Sequence, residues 1–193
     1  LTFDDGPSVY TDRLLDVLKE RDIRATFFVL GQSVRVQPET VLRAVREGHE
    51  IGNHSWSHRN MQDLADIEIR EQISRTNTLV AQISGVSPIH FRPPYGAYDD
   101  HVVSVVGMPV ILWSLDPLDW KDRDADIVAE RIAEASAGMI ILAHDIHETT
   151  VDAMPTVVES LSTRGVRFVT VTELLGPPGS VAGRVYDRGA APR

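Results

Sequence analysis

Two adjacent carboxylates, in Thr2-Phe3-Asp4-Asp5-Gly6-Pro7, and two histidines four residues apart, in Asn53-His54-Ser55-Trp56-Ser57-His58, are the side chains best suited to chemistry. One carboxylate and two imidazoles form a three-ligand set for a borderline-soft divalent ion, and such a set leaves a coordination position for water. Where two acids stand side by side, one can bind the ion while the other takes a proton from the bound water. That pairing reads as hydrolysis. The spacing of His54 and His58 predicts that both project to the same side of a helical turn. Asp-Gly and Gly-Pro are also turn dipeptides. An ordinary turn does not explain two acids directly after an apolar strand, because side-chain alternation forces one carboxylate inward, where it needs a partner.

Three further segments carry polar residues in suggestive company. In Arg92-Pro93-Pro94-Tyr95-Gly96 the prolines fix the backbone after a strand, and an arginine held there can brace a carboxylate. Asp116-Pro117-Leu118-Asp119-Trp120 joins two acids to an aromatic ring able to stack on a sugar, with Trp56 and Tyr95 offering similar surfaces. Leu142-Ala143-His144-Asp145-Ile146-His147 places a histidine directly after an apolar run, where a carboxylate neighbour would raise its pKa toward general-acid use. Residue chemistry alone does not choose between His144 and His147. His49 and His90 lie within strand patterns and read as structural, His101 lies on an exposed helical face, and none of the three is given a role.

The elements that must position these groups alternate between short β-branched or aromatic runs and helical patterns, as in βα units with a parallel sheet. Seven strands are predicted: Leu1–Asp4, Ala25–Leu30, His49–Asn53, Ile89–Arg92, Val110–Ser114, Met139–Ala143 and Arg167–Thr170. Between them, Leu14, Leu15, Val17 and Leu18 share one helical face, as do Val41, Leu42 and Val45, and again Ile69, Ile73, Leu79, Val80 and Ile83. Gly48, Gly85, Gly138 and Gly165 fall where helix C-caps belong, and Pro38 where a helix starts. One catalytic domain over 1–176 is expected, with 177–193 as a C-terminal tail lying on the domain or leaving it, since periodicity is lost there. On this reading Asp4, Asp5, His54, His58, Arg92, Asp116, Asp119 and His144 all follow carboxyl ends of strands. In a closed parallel βα arrangement those ends form the face that carries the active site.

With 193 residues, 42% of them hydrophobic, the chain is long enough for one sizeable core. A net charge of −9 argues against nucleic acid as a partner. No run is long and apolar enough to span a membrane, and the absence of cysteine excludes disulfides and thiolate ligands.

Taken in order, Thr2–Pro7, His54–His58, Arg92–Tyr95, Asp116–Trp120 and Leu142–His144 resemble the five motif segments of the polysaccharide deacetylases of carbohydrate esterase family 4, the NodB-homology domain. The resemblance implies a distorted, TIM-like (β/α) barrel of about seven parallel strands that removes acetyl groups from glycans. It implies Asp5, His54 and His58 as ligands of one divalent metal, most often zinc, with cobalt or nickel as substitutes. Asp4 would be the general base braced by Arg92, and His144 the general acid paired with Asp119. The Tyr95 backbone N–H would help hold the oxyanion, and Trp120 and Leu142 would line the acetyl pocket. The expected substrate is N-acetylglucosamine in peptidoglycan or chitin-type oligomers, met by a monomer outside the cell or at its envelope, with a signal peptide or anchor ahead of Leu1. Acetylxylan O-deacetylation by the same machinery is the alternative. A non-haem iron oxygenase, which shares the donor set, and an inactive glycan-binding module are the more distant ones.

Overall fold

In the computed structural model, which describes residues 1–176 and 179–189, three apolar runs pair as parallel strands in the order β1-β2-β3. These are β1 (Thr2–Asp4), β2 (Thr26–Val29) and β3 (Glu50–Asn53), with Thr2 level with Thr26 and Val29 level with Asn53. All four residues of β2 are buried, as expected of a parallel strand covered on both faces. The helices that cover the strands are α1 (Thr11–Glu20), α2 (Gly31–Val36), α3 (Pro38–Arg46), α4 (Asp66–Ser84), α5 (Asp100–Val106), α6 (Asp119–Asp122), α7 (Ala125–Ile132), α8 (Glu148–Thr163) and α9 (Val171–Leu175). Helix α1 buries Leu14, Leu15 and Leu18 on the face that its spacing predicts, each worth roughly 1.5–3 kcal/mol of apolar burial. Pro38 opens α3, and Gly85 ends α4 at φ 76°, a left-handed cap that a side chain would oppose.

The remaining extended segments pair more sparsely than expected. Phe91 bridges Asn53 on one side and Val110 on the other, Leu115 bridges Ile141, and His144 bridges Asp4. Thr2 and Asp4 donate backbone N–H bonds to Ile141 and Ala143 at 3.0 and 2.9 Å. Pairing therefore runs from β1 through β2, β3 and Phe91 to β4 (Val110–Ile111), and from Leu115 beyond it to the segment before His144 and back to β1. The fold is α/β, but the described strands do not make the expected seven-stranded barrel. They number five, in one sheet of three and one of two. Ile89–Arg92 makes only single bridges, hemmed by Pro88 and Pro93, which carry no N–H. Arg167–Thr170 forms no bridge among the described residues; a groove separates it from Met139–Ile141.

A strand comes instead from the segment that reads as a tail. β5 (Val185–Tyr186) pairs in parallel with β4, and Arg188 bridges Met139. That segment thus lies on the domain over its described part; residues 177, 178 and 190–193 lie outside the described residues. Ser180 is fastened through a buried relay, its Oγ 2.6 Å from His90 Nε2 while His90 Nδ1 lies 2.5 Å from Glu50 Oε1. His90 is structural, as its strand position indicates. So is His49, whose Nδ1 accepts the Ala25 N–H, and His101 sits exposed on α5 beside Asp66. Among the described residues no helix is long and apolar enough to cross a membrane.

Candidate active site

β1 ends on Asp4, and Asp5 turns away from the strand at a φ of 74°. Its Oδ1 lies 3.4 Å from His54 Nε2 and 3.3 Å from His58 Nε2, and the three candidate ligand atoms all fall within 4.8 Å of one another. Asp5 Oδ1 is buried with no hydrogen-bond partner. An orphaned carboxylate oxygen facing two imidazole nitrogens is costly unless a cation joins them. His54 Nδ1 lies 2.7 Å from the Arg92 carbonyl, which only accepts, so the ring proton sits there and the Nε2 lone pair faces the cluster. Burial lowers the pKa of His58 against the pull of Asp5, favouring the neutral form that ligates. These donors fit a divalent ion.

The two histidines do not converge on a helical turn, as their spacing predicts. Residues 54–60 form a loop in which Ser55 and His58 have φ of 77° and 58°. Side chains take the backbone bonds that a helix would have used: Asn53 Oδ1 accepts the Ser55 N–H, Ser55 Oγ the His58 N–H, and Gln72 Oε1 those of Trp56 and Ser57. Gln72 reaches in from α4, a partner that local spacing does not reveal.

Behind the cluster, Asp4 is nearly fully buried and Arg92 fully so. Arg92 Nη1 donates to Asp4 Oδ1 and to Thr2 Oγ1, both at 2.7 Å; Nε and Nη2 donate to the Ile111 and Leu112 carbonyls. The guanidinium also stacks over Phe28, 4.1 Å from the ring centroid. Asp4 Oδ2 is left facing the cluster, 3.7 Å from His54 Nε2.

Asp119 opens α6 fully buried, and its carboxylate is saturated. Oδ1 meets His144 Nδ1 at 2.8 Å, while Oδ2 accepts the His144 backbone N–H and the Thr150 hydroxyl, each at 2.7 Å. Burial lowers the His144 pKa, but the hydrogen bond and charge of Asp119, aided by Asp4 and Asp5, outweigh it and raise the value to about 9. His147 has no such partner. Its Nδ1 accepts from Arg123 Nη1 at 2.6 Å, and burial together with that cation lowers its pKa. The geometry therefore separates two histidines that residue chemistry could not.

One cleft of about 520 Å³, within the range of small-ligand sites, is lined by Asp4, Asp5, His54, His58, Tyr95, Trp120, Leu142 and His144. Arg92 and Asp119 sit behind this wall. All ten predicted site residues are thus brought together. Tyr95, at a φ of 61°, stands exposed at the rim with its ring 4.5 Å from that of His58. Asp116 lines the cleft, its carboxylate accepting from Leu118 N–H and Trp120 Nε1. Sequence reasoning missed Trp113, a cleft residue inside a strand pattern, and Thr2 and Thr150, whose hydroxyls serve Arg92 and Asp119. It also missed Asp145, fully buried, which receives the Thr11 hydroxyl and occupies the space that a side chain at Gly6 would need. No local pattern marks these residues.

Fold and site together define an α/β protein with an Asp-His-His cluster and two buried carboxylate–cation pairs at the carboxyl ends of its strands. Residues 1–108 match the family described as polysaccharide deacetylase, and the chain belongs to that family. It is 43% identical over 190 residues to the peptidoglycan-N-acetylglucosamine deacetylase PgdA of Listeria monocytogenes, covering 97% of this chain and 41% of that protein. It is 44% identical over 176 residues to the peptidoglycan-N-acetylmuramic acid deacetylase PdaC of Bacillus subtilis, covering 90% and 38%. The chain spans about two fifths of the length of these two relatives. A family 4 acetyl xylan esterase from Clostridium thermocellum, solved with a cobalt ion, superposes with a TM-score of 0.92 at 35% identity, covering 98% of each chain.

Proposed function

We propose that this chain hydrolyses the acetamide of N-acetylglucosamine units in a glycan of the peptidoglycan or chitin-oligomer class, using one divalent metal ion. The observation that carries the reading is the orphaned Asp5 Oδ1 facing two imidazole nitrogens, with Asp4 Oδ2 beside them. Asp5, His54 and His58 would hold the ion, and zinc suits two nitrogens and one carboxylate oxygen best. When bound, it would lower the pKa of a water and polarise the acetyl carbonyl.

The chain's own residues supply the rest. Asp4 takes the water's proton at Oδ2, because Oδ1 is held by Arg92. His144 gives a proton from Nε2 to the departing amine, since its Nδ1 is committed to Asp119. A raised pKa keeps that proton in place at neutral pH. The Tyr95 N–H would meet the charge that develops on the acetyl oxygen, and Leu142 and Trp120 would wall the acetyl methyl. Exposed Tyr95 and Trp120 at the rim suit a polymer that lies across a groove. Every residue named comes from one chain, so a monomer suffices, acting at the cell envelope or outside the cell as a peptidoglycan substrate requires.

The test is acetate release from chito-oligomers, peptidoglycan and acetylxylan, with zinc supplied and again after chelation. Release from the first two that stops on chelation and returns with metal is expected. No release from any of them would defeat the reading, and faster turnover of acetylxylan would favour the O-deacetylase alternative. Silence with intact metal binding would favour a glycan-binding module, and oxygen consumption with iron an oxygenase.

The pH profile tests the acid. The alkaline limb of kcat/KM is expected above the ordinary histidine range, and Asp119→Asn should move it downward, because the hydrogen bond and charge of that carboxylate raise the His144 pKa. An unmoved limb would remove His144 from the role. The sign for stability is the same. A histidine held above its unfolded pKa stabilises fully below about 6.5, and loses that contribution as pH rises through about 9.

A further inference from the structure

We infer that Arg123 and His147 form an anion subsite on the wall of the cleft, and that it binds a carboxylate carried by the sugar next to the one deacetylated. The inference rests on the glycan deacetylase reading and narrows its substrate class. Of the carboxylates lining the cleft, Asp4 is held by Arg92 and Asp116 by Leu118 N–H and Trp120 Nε1, while Asp5 Oδ1 faces the two imidazoles of the cation cluster. Arg123 lines the same cleft and, among the described residues, has no carboxylate within 4.0 Å.

Arg123 is nevertheless held in place. Its Nε donates to the Trp120 carbonyl at 2.9 Å and its Nη1 to His147 Nδ1 at 2.6 Å. A guanidinium only donates, so His147 Nδ1 accepts and the imidazole proton sits on Nε2. Neither Arg123 Nη2 nor His147 Nε2 has a protein acceptor among the described residues. Two donor groups, one of them a permanent cation fixed at two nitrogens, thus border a cleft lined by an exposed Trp120. Donors that lack protein acceptors and are already ordered match a carboxylate and lose little entropy on binding it. The surrounding protein carries a net charge of −9, so the attraction is local and falls off within about 8–10 Å. The contact therefore selects at short range for an anion placed beside the reacting sugar. It sits near the acid, the rings of His144 and His147 being 5.8 Å apart.

A glycan of N-acetylglucosamine alone offers no such group. Alternation with N-acetylmuramic acid offers a lactyl carboxylate on each neighbouring sugar that carries no peptide, since a peptide converts that carboxylate to an amide. Three probes separate the possibilities: the neutral tetrasaccharide of N-acetylglucosamine, the peptide-free tetrasaccharide in which N-acetylmuramic acid alternates, and that second probe with its carboxylates converted to amides. Affinity would be measured by calorimetry on the zinc-loaded chain and kcat/KM by acetate release. In the unaltered protein the acidic probe should be preferred to its amide, and Arg123→Gln should lower that preference about tenfold, the scale of one hydrogen bond to a charged group. Added salt should erode the preference in the unaltered protein and change it little in Arg123→Gln. Equal affinity for the acidic and amidated probes, or a preference that survives Arg123→Gln, would overturn the subsite. Affinity is read whether or not acetate is released, so silence in the acetate assay would count against the deacetylase reading while the affinity ratio still decides the subsite.

Discussion

Asp4→Asn is expected to lower kcat by about 10²–10⁴-fold, the usual contribution of a positioned general base, while the protein still binds its divalent ion. The geometry isolates the effect. Asp4 Oδ1 is bonded to Arg92 and only Oδ2 faces the Asp5-His54-His58 cluster, so an asparagine whose carbonyl keeps the Arg92 bond presents an amide where the proton should go. An amide cannot take it. Metal content by elemental analysis and acetate release on one preparation decide the matter. Loss of the ion together with activity would make Asp4 a ligand rather than a base, and activity within tenfold of the unaltered protein would remove it from proton transfer.

Arg92→Leu should destabilise the fold by about 3–5 kcal/mol, the range for breaking a buried ion pair from one side. Arg92 is fully buried and donates to Asp4, Thr2 and two strand carbonyls. Its removal leaves the Asp4 carboxylate with no compensating charge in the core. Adding Asp4→Leu to Arg92→Leu should recover part of the loss, because the uncompensated charge goes with it. Arg92→Lys should also cost stability and activity, since an ammonium cannot serve the diverging acceptors or lie flat on Phe28. Urea denaturation measures all three. A loss below 1 kcal/mol for Arg92→Leu would mean that water or rearrangement satisfies Asp4, and that the arginine is not its brace.

That Asp4, Asp5, His54, His58 and His144 share one face was legible because a parallel βα chain delivers strand ends to one side, whereas Leu142 and the places of Tyr95 and Trp120 at the cleft came from the family resemblance alone. The strands near the amino end were legible too, since Phe3, Phe27, Phe28 and Ile51 are apolar in short runs bounded by polar turns. The pairing of later segments was not. Whether Ile89–Arg92 forms a ladder depends on what lies beside it, and a two-residue strand such as β5 leaves no periodicity to read. The loop carrying His54 and His58 escaped for the same reason: Gln72, which holds it, comes from a helix whose packing is not written in the loop.

By itself the amino-acid sequence determined which chemistry is available: a carboxylate and two imidazoles for a cation, a spare carboxylate, an arginine fixed by two prolines and a histidine after an apolar run. Those are properties of residue type and local order. Only the tertiary structure shows what each of them touches. Asp119 lies 2.8 Å from His144 and Arg123 lies 2.6 Å from His147, so one imidazole is raised toward the acid role and the other is held neutral. The physical reason is that a histidine's charge state depends on what stands within a few ångströms of it, and only folding brings residues 119 and 123 there.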